Sequence, residues 1–346
     1  AADSSFIVAI GHQAGCNSGE QGGVFIGKYA GKSANAHGAS IMIGCKAGCL
    51  AYTADSSIFI GKEAGMRACN SSHGNIFMGS AAGKGSSTEA NNTGDNNIAI
   101  GDNTMCDYTS ATCNVVIGYY AGNDISSGAG NVAIGQCAGC TITTGSENVA
   151  LGQKALGDGT VTGSHNVAMG YYAGYKNSSG ACNVSIGYRA GQGSCSGTHN
   201  VFLGFCTAVN GAANSTGNVV IGMRAGLQMT SGNRNILIGE ATACLGDVSG
   251  GGNIFMGYET AKCVSSGALN TALGYAAGRC ITTGSYNIYL GPYAGEVANG
   301  GDNIALGCYA GRNITGCSNI VIGRDSGRSI TSGDSNIVIG TDVEPA

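Results

Sequence analysis

Apolar residues recur along the chain as short triplets, each closed by a glycine and separated from the next by a longer, mostly polar segment. The triplets read Val8-Ala9-Ile10-Gly11, Val24-Phe25-Ile26-Gly27, Val132-Ala133-Ile134-Gly135 and so on to Ile337-Val338-Ile339-Gly340, twenty copies in all. The nineteen intervals between Gly11 and Gly340 average about 17.3 residues, and eighteen of them fall between 16 and 18. The exception, 22 residues from Gly79 to Gly101, carries the polar run Ser86-Ser87-Thr88-Glu89-Ala90-Asn91-Asn92 and reads as a loop insertion. A period this short and regular is that of a solenoid, in which each repeat is one coil unable to bury its apolar side alone. The expected fold is all-β: a parallel β-solenoid, a β-roll or β-helix, of about 20 coils. It forms a single repeat domain over 1–346, roughly 95 Å long at the strand spacing.

Successive side chains of a strand face opposite ways, so the first and third triplet residues share one face and the middle one takes the other. The first and third positions are almost uniformly Val, Ile, Leu or Met, with Thr271 a departure, and are expected to line the interior. The middle position then faces out, carrying Phe25, Met42, Phe59, Phe77, Val116, Phe202, Val220, Leu237, Phe255, Val321 and Val338 among alanines, with Ser185 and Tyr289 the polar occupants. An outer apolar column of that size exceeds what a monomer normally exposes and is expected to be covered by another chain, or by a folded-over corner of the same coil.

The residue before the triplet is asparagine in all of the last sixteen repeats: Asn75, Asn97, Asn114, Asn131, Asn148, Asn166, Asn183, Asn200, Asn218, Asn235, Asn253, Asn270, Asn287, Asn303, Asn319 and Asn336. Stacked at about 4.8 Å, such a column is expected to hydrogen-bond from coil to coil as a ladder. The first four repeats have Ile7, Gly23, Ser40 and Ser57 there, marking 1–61 as atypical N-terminal capping coils. After the triplet's glycine comes a small-residue corner, Ala-Gly outright in thirteen copies, whose glycine is suited to a positive φ. The polar segment that follows varies most in length and sequence and is the face expected to carry binding, glycans or solvent contacts.

Composition narrows the function. Glycine at 63 of 346 residues with two prolines and no Gly-X-Y triplet excludes collagen, and 10% charged residues with a net charge of −4 leave no basic surface for nucleic acid or anionic lipid. No run of 18 apolar residues is present, so no membrane insertion is expected, and the first residues, Ala1-Ala2-Asp3-Ser4-Ser5, read as a mature end from which a leader has been removed. Sixteen cysteines, an even number, fit an oxidising compartment. Six Asn-X-Ser/Thr sequons stand at Asn70, Asn91, Asn177, Asn183, Asn214 and Asn313, and all but the ladder member Asn183 are candidate glycosylation sites.

The phrases Ser146-Glu147-Asn148-Val149-Ala150-Leu151-Gly152 and Asn166-Val167-Ala168-Met169-Gly170-Tyr171-Tyr172-Ala173-Gly174 resemble the Asn-X-Ala-Ile-Gly-X-X-Ala-Gly repeats of phage and giant-virus tail-fibre-like proteins. More distantly they are similar to the heads of YadA-type trimeric autotransporter adhesins. The similarity runs through all twenty repeats and implies a left-handed parallel β-roll that trimerises. The adhesin head repeat is shorter than the period here, and neither its coiled-coil stalk nor its β-barrel anchor is found in this sequence.

Little in the chain is arranged for chemistry. Cys137-Ala138-Gly139-Cys140 has C-x-x-C spacing but lies on an ordinary Ala-Gly corner, with no helical pattern after it. Cys263 and Cys280 each follow their repeat's glycine by six residues and would stack one coil apart, within the reach of a disulfide. Cys106 with Cys113 and Cys308 with Cys317 are further candidate pairs; the alternative for all three pairs is free thiols in tight corners. The histidines His12, His37, His73, His165 and His199 have no metal-ligand spacing, and no catalytic set, metal site or cofactor site assembles from the columns. The expected role is a structural extracellular fibre or filament subunit, not an enzyme, placed outside the cell or on a cell or virion surface. It self-associates through apolar columns as a homotrimer or head-to-tail filament, and a cell-surface glycan or receptor is the expected external partner. A receptor-binding tail fibre or adhesin head is the alternative. An ice-binding solenoid would need an unbroken threonine column, where Thr141, Thr143, Thr144, Thr282 and Thr283 only cluster, and a glycan-cleaving fibre would need acidic residues gathered between chains.

Overall fold

The computed structural model describes residues 6–17, 22–34, 39–68, 72–87, 92–210 and 214–344. It is all-β, with twenty three-residue strands, one per repeat, and no helix among the described residues. The chain falls into two compact units, Ala1–Tyr172 and Ala173–Ala346. The first holds β1 (Val8–Ile10) to β10 (Val167–Met169), and the second β11 (Val184–Ile186) to β20 (Ile337–Ile339). Within each unit successive strands pair in parallel and in register, triplet on triplet: Val115 opposite Val132, Val116 opposite Ala133 and Ile117 opposite Ile134 in the first, Ile304, Ala305 and Leu306 opposite Ile320, Val321 and Ile322 in the second. Both units are parallel β-solenoids with the period read from the sequence.

The direction of the side chains reverses the expectation. The middle residue of the triplet is the buried one: Phe25, Met42, Phe59, Phe77, Val116, Phe202, Val220, Leu237, Phe255 and Val321 are wholly enclosed, Val338 nearly so, and Ser185 and Tyr289 lie inside with them. The first and third residues face outward and are half-buried or exposed. Alternation fixes only parity, and the phase is set by the asparagine. Asn114, Val116 and Gly118 share one face, and that face carries the buried ladder.

In many coils the interior is filled by size compensation. The residue seven positions after the triplet's glycine points into the same space as the middle residue. Large middle residues meet small partners, as in Phe25 with Ala34, Phe59 with Ala68 and Tyr289 with Ala298. Alanine in the middle meets a large partner: Ala99 with Tyr108, Ala133 with Ile142, Ala272 with Ile281, Ala305 with Ile314. Both fill the volume above the second glycine of the corner. A Cβ on Gly65 would lie 2.6 Å from Phe59, and one on Gly139 2.8 Å from Ile142, which is why the corner takes glycine as well as the φ of +56° found at both.

Coil-to-coil packing is tightest at the glycine closing each strand. Gly118 has φ +134°, and a Cβ there would sit 2.5 Å from the carbonyl oxygen of Gly135 in the next coil. Two further positions per coil are left-handed in ordinary residues. The second residue after the closing glycine is one, as in Tyr120, Lys154 and Arg224, and the residue before the ladder asparagine is the other, as in Asn96, Glu147, His165 and Leu269. Each carries roughly 1–2 kcal/mol of backbone strain in a non-glycine residue.

Candidate functional site

The asparagine ladder is built from backbone and side chain together. In the first unit, the Asn114 N–H and Nδ2 both donate to Asn97 Oδ1 at 3.0 Å, and Nδ2 donates a second time to Gly128 O at 2.9 Å. Asn131 and Asn148 repeat this one coil further on. The second unit has its own ladder, with Asn200, Asn218, Asn253, Asn270, Asn287, Asn319 and Asn336 each donating through both nitrogens to the asparagine one coil back. A fully satisfied buried amide with a partner above and below holds register, since slipping one residue would orphan every member. In the first four coils Ser40 and Ser57 carry part of this role. Ser57 Oγ accepts from the Asn75 N–H at 3.2 Å, and Ser40 Oγ donates to Ala54 O at 2.8 Å. The strands of 1–61 pair in register like the rest.

The outward face of each unit carries two in-register columns of aliphatic side chains from the first and third strand positions. Ile100, Ile134 and Met169 in the first unit, and Ile186, Ile254, Met256 and Ile288 in the second, keep 36–41% of their surface. No first or third position bears a charge, and Thr271 is the one polar occupant. The residue after the closing glycine has the same strand parity and adds exposed Tyr119 and Tyr171 in one unit, and Tyr188, Phe205, Met223, Tyr258 and Tyr275 in the other. Several of these rings stack coil on coil: Tyr188 on Phe205 with centroids 4.9 Å apart and Tyr258 on Tyr275 at 5.2 Å.

Charges gather at the corners in small networks that no single repeat reveals. Glu63 takes Lys84 at 2.9 Å and Lys46 at 3.7 Å from neighbouring coils, and Glu259 takes Lys262 at 2.5 Å and Arg279 at 3.0 Å. The hydrogen bond from Lys84 holds the Glu63 carboxyl below its ordinary 4.5, and Lys262 does the same for Glu259. His165 pairs with Glu147 at 3.0 Å on the surface, and His199 is exposed.

Fifteen cysteines lie among the described residues, and all are free thiols, including Cys106, Cys113, Cys263, Cys280, Cys308 and Cys317. Two of the expected pairs join a corner to a turn. Cys106 and Cys308 follow β6 (Ile98–Ile100) and β18 (Ile304–Leu306), whereas Cys113 and Cys317 sit at the exposed turns entering the next strands. Cys263 and Cys280 do occupy equivalent places in adjacent coils, as unbonded thiols, and burial pushes Cys280 up, with Cys263 adding to it. At the C-x-x-C run, burial and then Cys137 push the Cys140 thiol up to about 11, opposite to the depression a redox thiol needs. Asn177 is 3% exposed, so the folded chain does not present that sequon; Asn214 and Asn313 are exposed, and Asn70 and Asn91 lie outside the described residues. Among the described residues no group of three or more His, Cys, Asp or Glu is placed to hold a metal, and no helix is long and apolar enough to cross a membrane.

The fold and its ladders define a parallel β-solenoid repeat protein. Comparison of the chain with known protein families, curated proteins and solved structures finds no match.

Proposed function

We propose that the protein is a structural subunit of an extracellular fibre or filament, associating with further copies of itself through the outward strand face. The observation that carries this reading is the pair of aliphatic columns. Twenty side chains per unit at roughly 50 Å² each expose on the order of 1,000 Å², beyond the 300–600 Å² of a typical monomer's largest patch and above the about 800 Å² per partner of a standard interface. A second copy is the occupant that fits. The two aliphatic columns carry no charge to match a charged partner, and their ridges repeat at the coil spacing of about 4.8 Å, which another stack of the same coils shares. The columns that self-associate in this reading are the first and third strand positions, not the middle one.

The resemblance to tail-fibre and adhesin-head repeats supports the same class of role and adds a receptor-binding reading for the variable loops. Ice binding is disfavoured by the outward columns themselves, which are aliphatic where a threonine array is needed. Electron microscopy of the native protein without reducing agent tests the proposal. Filaments or discrete multi-chain rods are the expected result, and dispersed single chains at micromolar concentration would overturn it.

A further inference from the structure

The chain is acidic, yet its acidic residues are absent from a long internal stretch. Residues 159–239 contain Lys176, Arg189, Arg224 and Arg234 and no Asp or Glu, while the remainder carries twelve basic residues against twenty acidic ones. Inside the second unit, a cleft of about 440 Å³ opens in this stretch, lined by Lys176, Arg189, Gln192, Gly193, Cys195, Val209 and Asn210. Three successive coils supply these residues, so no single repeat contains the site. Elsewhere Lys46, Lys84, Lys262, Arg279 and Arg312 are held by carboxylates. Here Arg189 Nε donates to the neutral Gln192 Oε1 at 2.6 Å, which orients the guanidinium without cancelling its charge.

We propose that this cleft binds the acidic group of a saccharide, a carboxylate or a sulfate ester, as the contact through which the proposed fibre engages a surface glycan. Lys176 and Arg189 supply two cations for one oxyanion, with the planar guanidinium suited to a two-oxygen contact. The amides of Gln192 and Asn210 supply donors and acceptors for ring hydroxyls, and Val209 a small apolar contact for the sugar's C–H face. The cations attract from solvent undiminished by local carboxylates, so binding weakens with added salt.

This inference rests on the fibre reading for its biological setting, but its test is separate. The full chain is titrated by calorimetry with a sulfated disaccharide, a digalacturonate and neutral cellobiose. At least one acidic disaccharide is expected to bind more tightly than cellobiose, and which one identifies the acidic group. Lys176→Gln or Arg189→Gln should weaken it at least tenfold, whereas Arg234→Gln, exposed and outside the cleft, should leave it unchanged. A readout without mutation is protection of Cys195, which lines the cleft: the bound disaccharide should slow its alkylation and leave exposed Cys182 unaffected. Binding of neither acidic probe above cellobiose, equal loss in Arg234→Gln, or no protection of Cys195 would overturn the site. Filaments seen by microscopy together with any of those results would sink the cleft proposal and leave the fibre reading standing.

Discussion

Replacing Gly118 by alanine tests how closely the coils stack. The new Cβ would meet Gly135 O at 2.5 Å, its carbonyl carbon at 2.8 Å and its Cα at 3.3 Å, all backbone atoms of the next coil that cannot swing aside. Relief requires separating two coils whose strands share the hydrogen bonds Val115 N–H to Asn131 O and Gly135 N–H to Ile117 O, both 2.8 Å. Overpacking of this kind costs about 1–3 kcal/mol. A φ of +134° in a residue bearing a Cβ adds roughly 1–3 kcal/mol, for a total of about 2–6 kcal/mol. Gly130→Ala in the neighbouring loop is the control. Its φ is +68°, the nearest atom to the added Cβ is Glu147 Cγ at 3.5 Å, and other coils place Asn96 and His165 at the same position. Its left-handed strain of about 1–2 kcal/mol is partly offset by the smaller unfolded-state entropy, leaving about 1 kcal/mol or less. Urea denaturation followed by circular dichroism reads the difference. Because repeat arrays unfold in part, hydrogen exchange at the Gly118 and Gly135 amides should localise the loss. Equal destabilisation by the two variants, or a Gly118→Ala protein within about 1 kcal/mol of the parent, would refute the close stacking of the glycine corners.

The other perturbations probe separate parts of the architecture. Asn131→Ala removes the acceptor of the Asn148 N–H and Nδ2 and the donor to Gly145 O, and should cost about 2–5 kcal/mol in denaturant melts; a loss below 1 kcal/mol would show the ladder to be dispensable. Ala133→Phe alone should destabilise by about 1–3 kcal/mol because Ile142 already fills the space, while adding Ile142→Ala should recover most of that, and a double-mutant cycle without coupling would contradict the size compensation. Glu63 and Glu259 have folded pKa values below 4.5, so their pairs stabilise at pH above that value and the contribution is lost as pH falls through the depressed values. Glu63→Gln should therefore lower stability by under about 1 kcal/mol at pH 7 and leave it unchanged at pH 2, and a loss that persists at pH 2 would point to packing instead. Cys140, pushed by burial up to about 11 from the ordinary thiol value of 9.0, should react with iodoacetamide roughly tenfold more slowly than an unperturbed thiol, the scarcer thiolate being partly offset by its greater nucleophilicity, and rapid labelling in the folded protein would contradict its burial.

The period, the parallel register and the strand positions were legible because glycine closes every triplet and asparagine precedes the last sixteen. Which face turns inward was not. A column of uniform Val and Ile looks like a core, but here uniformity belongs to the open sheet face, where each residue packs only against its equivalents in adjacent strands. The true interior mixes Phe59 with Ala133 because many coils balance the middle residue against a partner seven positions past the glycine, Ala68 in one case and Ile142 in the other. Two sequence signals could have exposed this: that reciprocal sizing, and the shared parity of the middle residue with the asparagine. The left-handed columns were hidden because residues such as Tyr172 and Leu269 occupy them, although Gly74, Gly130, Gly217 and Gly252 stand where other coils hold Asn96 or His165. The cleft escaped notice because Lys176, Arg189 and Asn210 come together only when coils stack. Its trace in the sequence was the absence of acidic residues from 159 to 239.

The most direct test of the account is the mass of the native particle by light scattering, for the parent and for a variant in which the outward Ile117, Ile134 and Leu151 are replaced by lysine. The parent should weigh a multiple of the 34.2 kDa chain, and the variant should dissociate while keeping its β-sheet circular dichroism, since these three side chains lie outside the core. A parent of single-chain mass, or a lysine variant that stays assembled, would contradict self-association through the strand face.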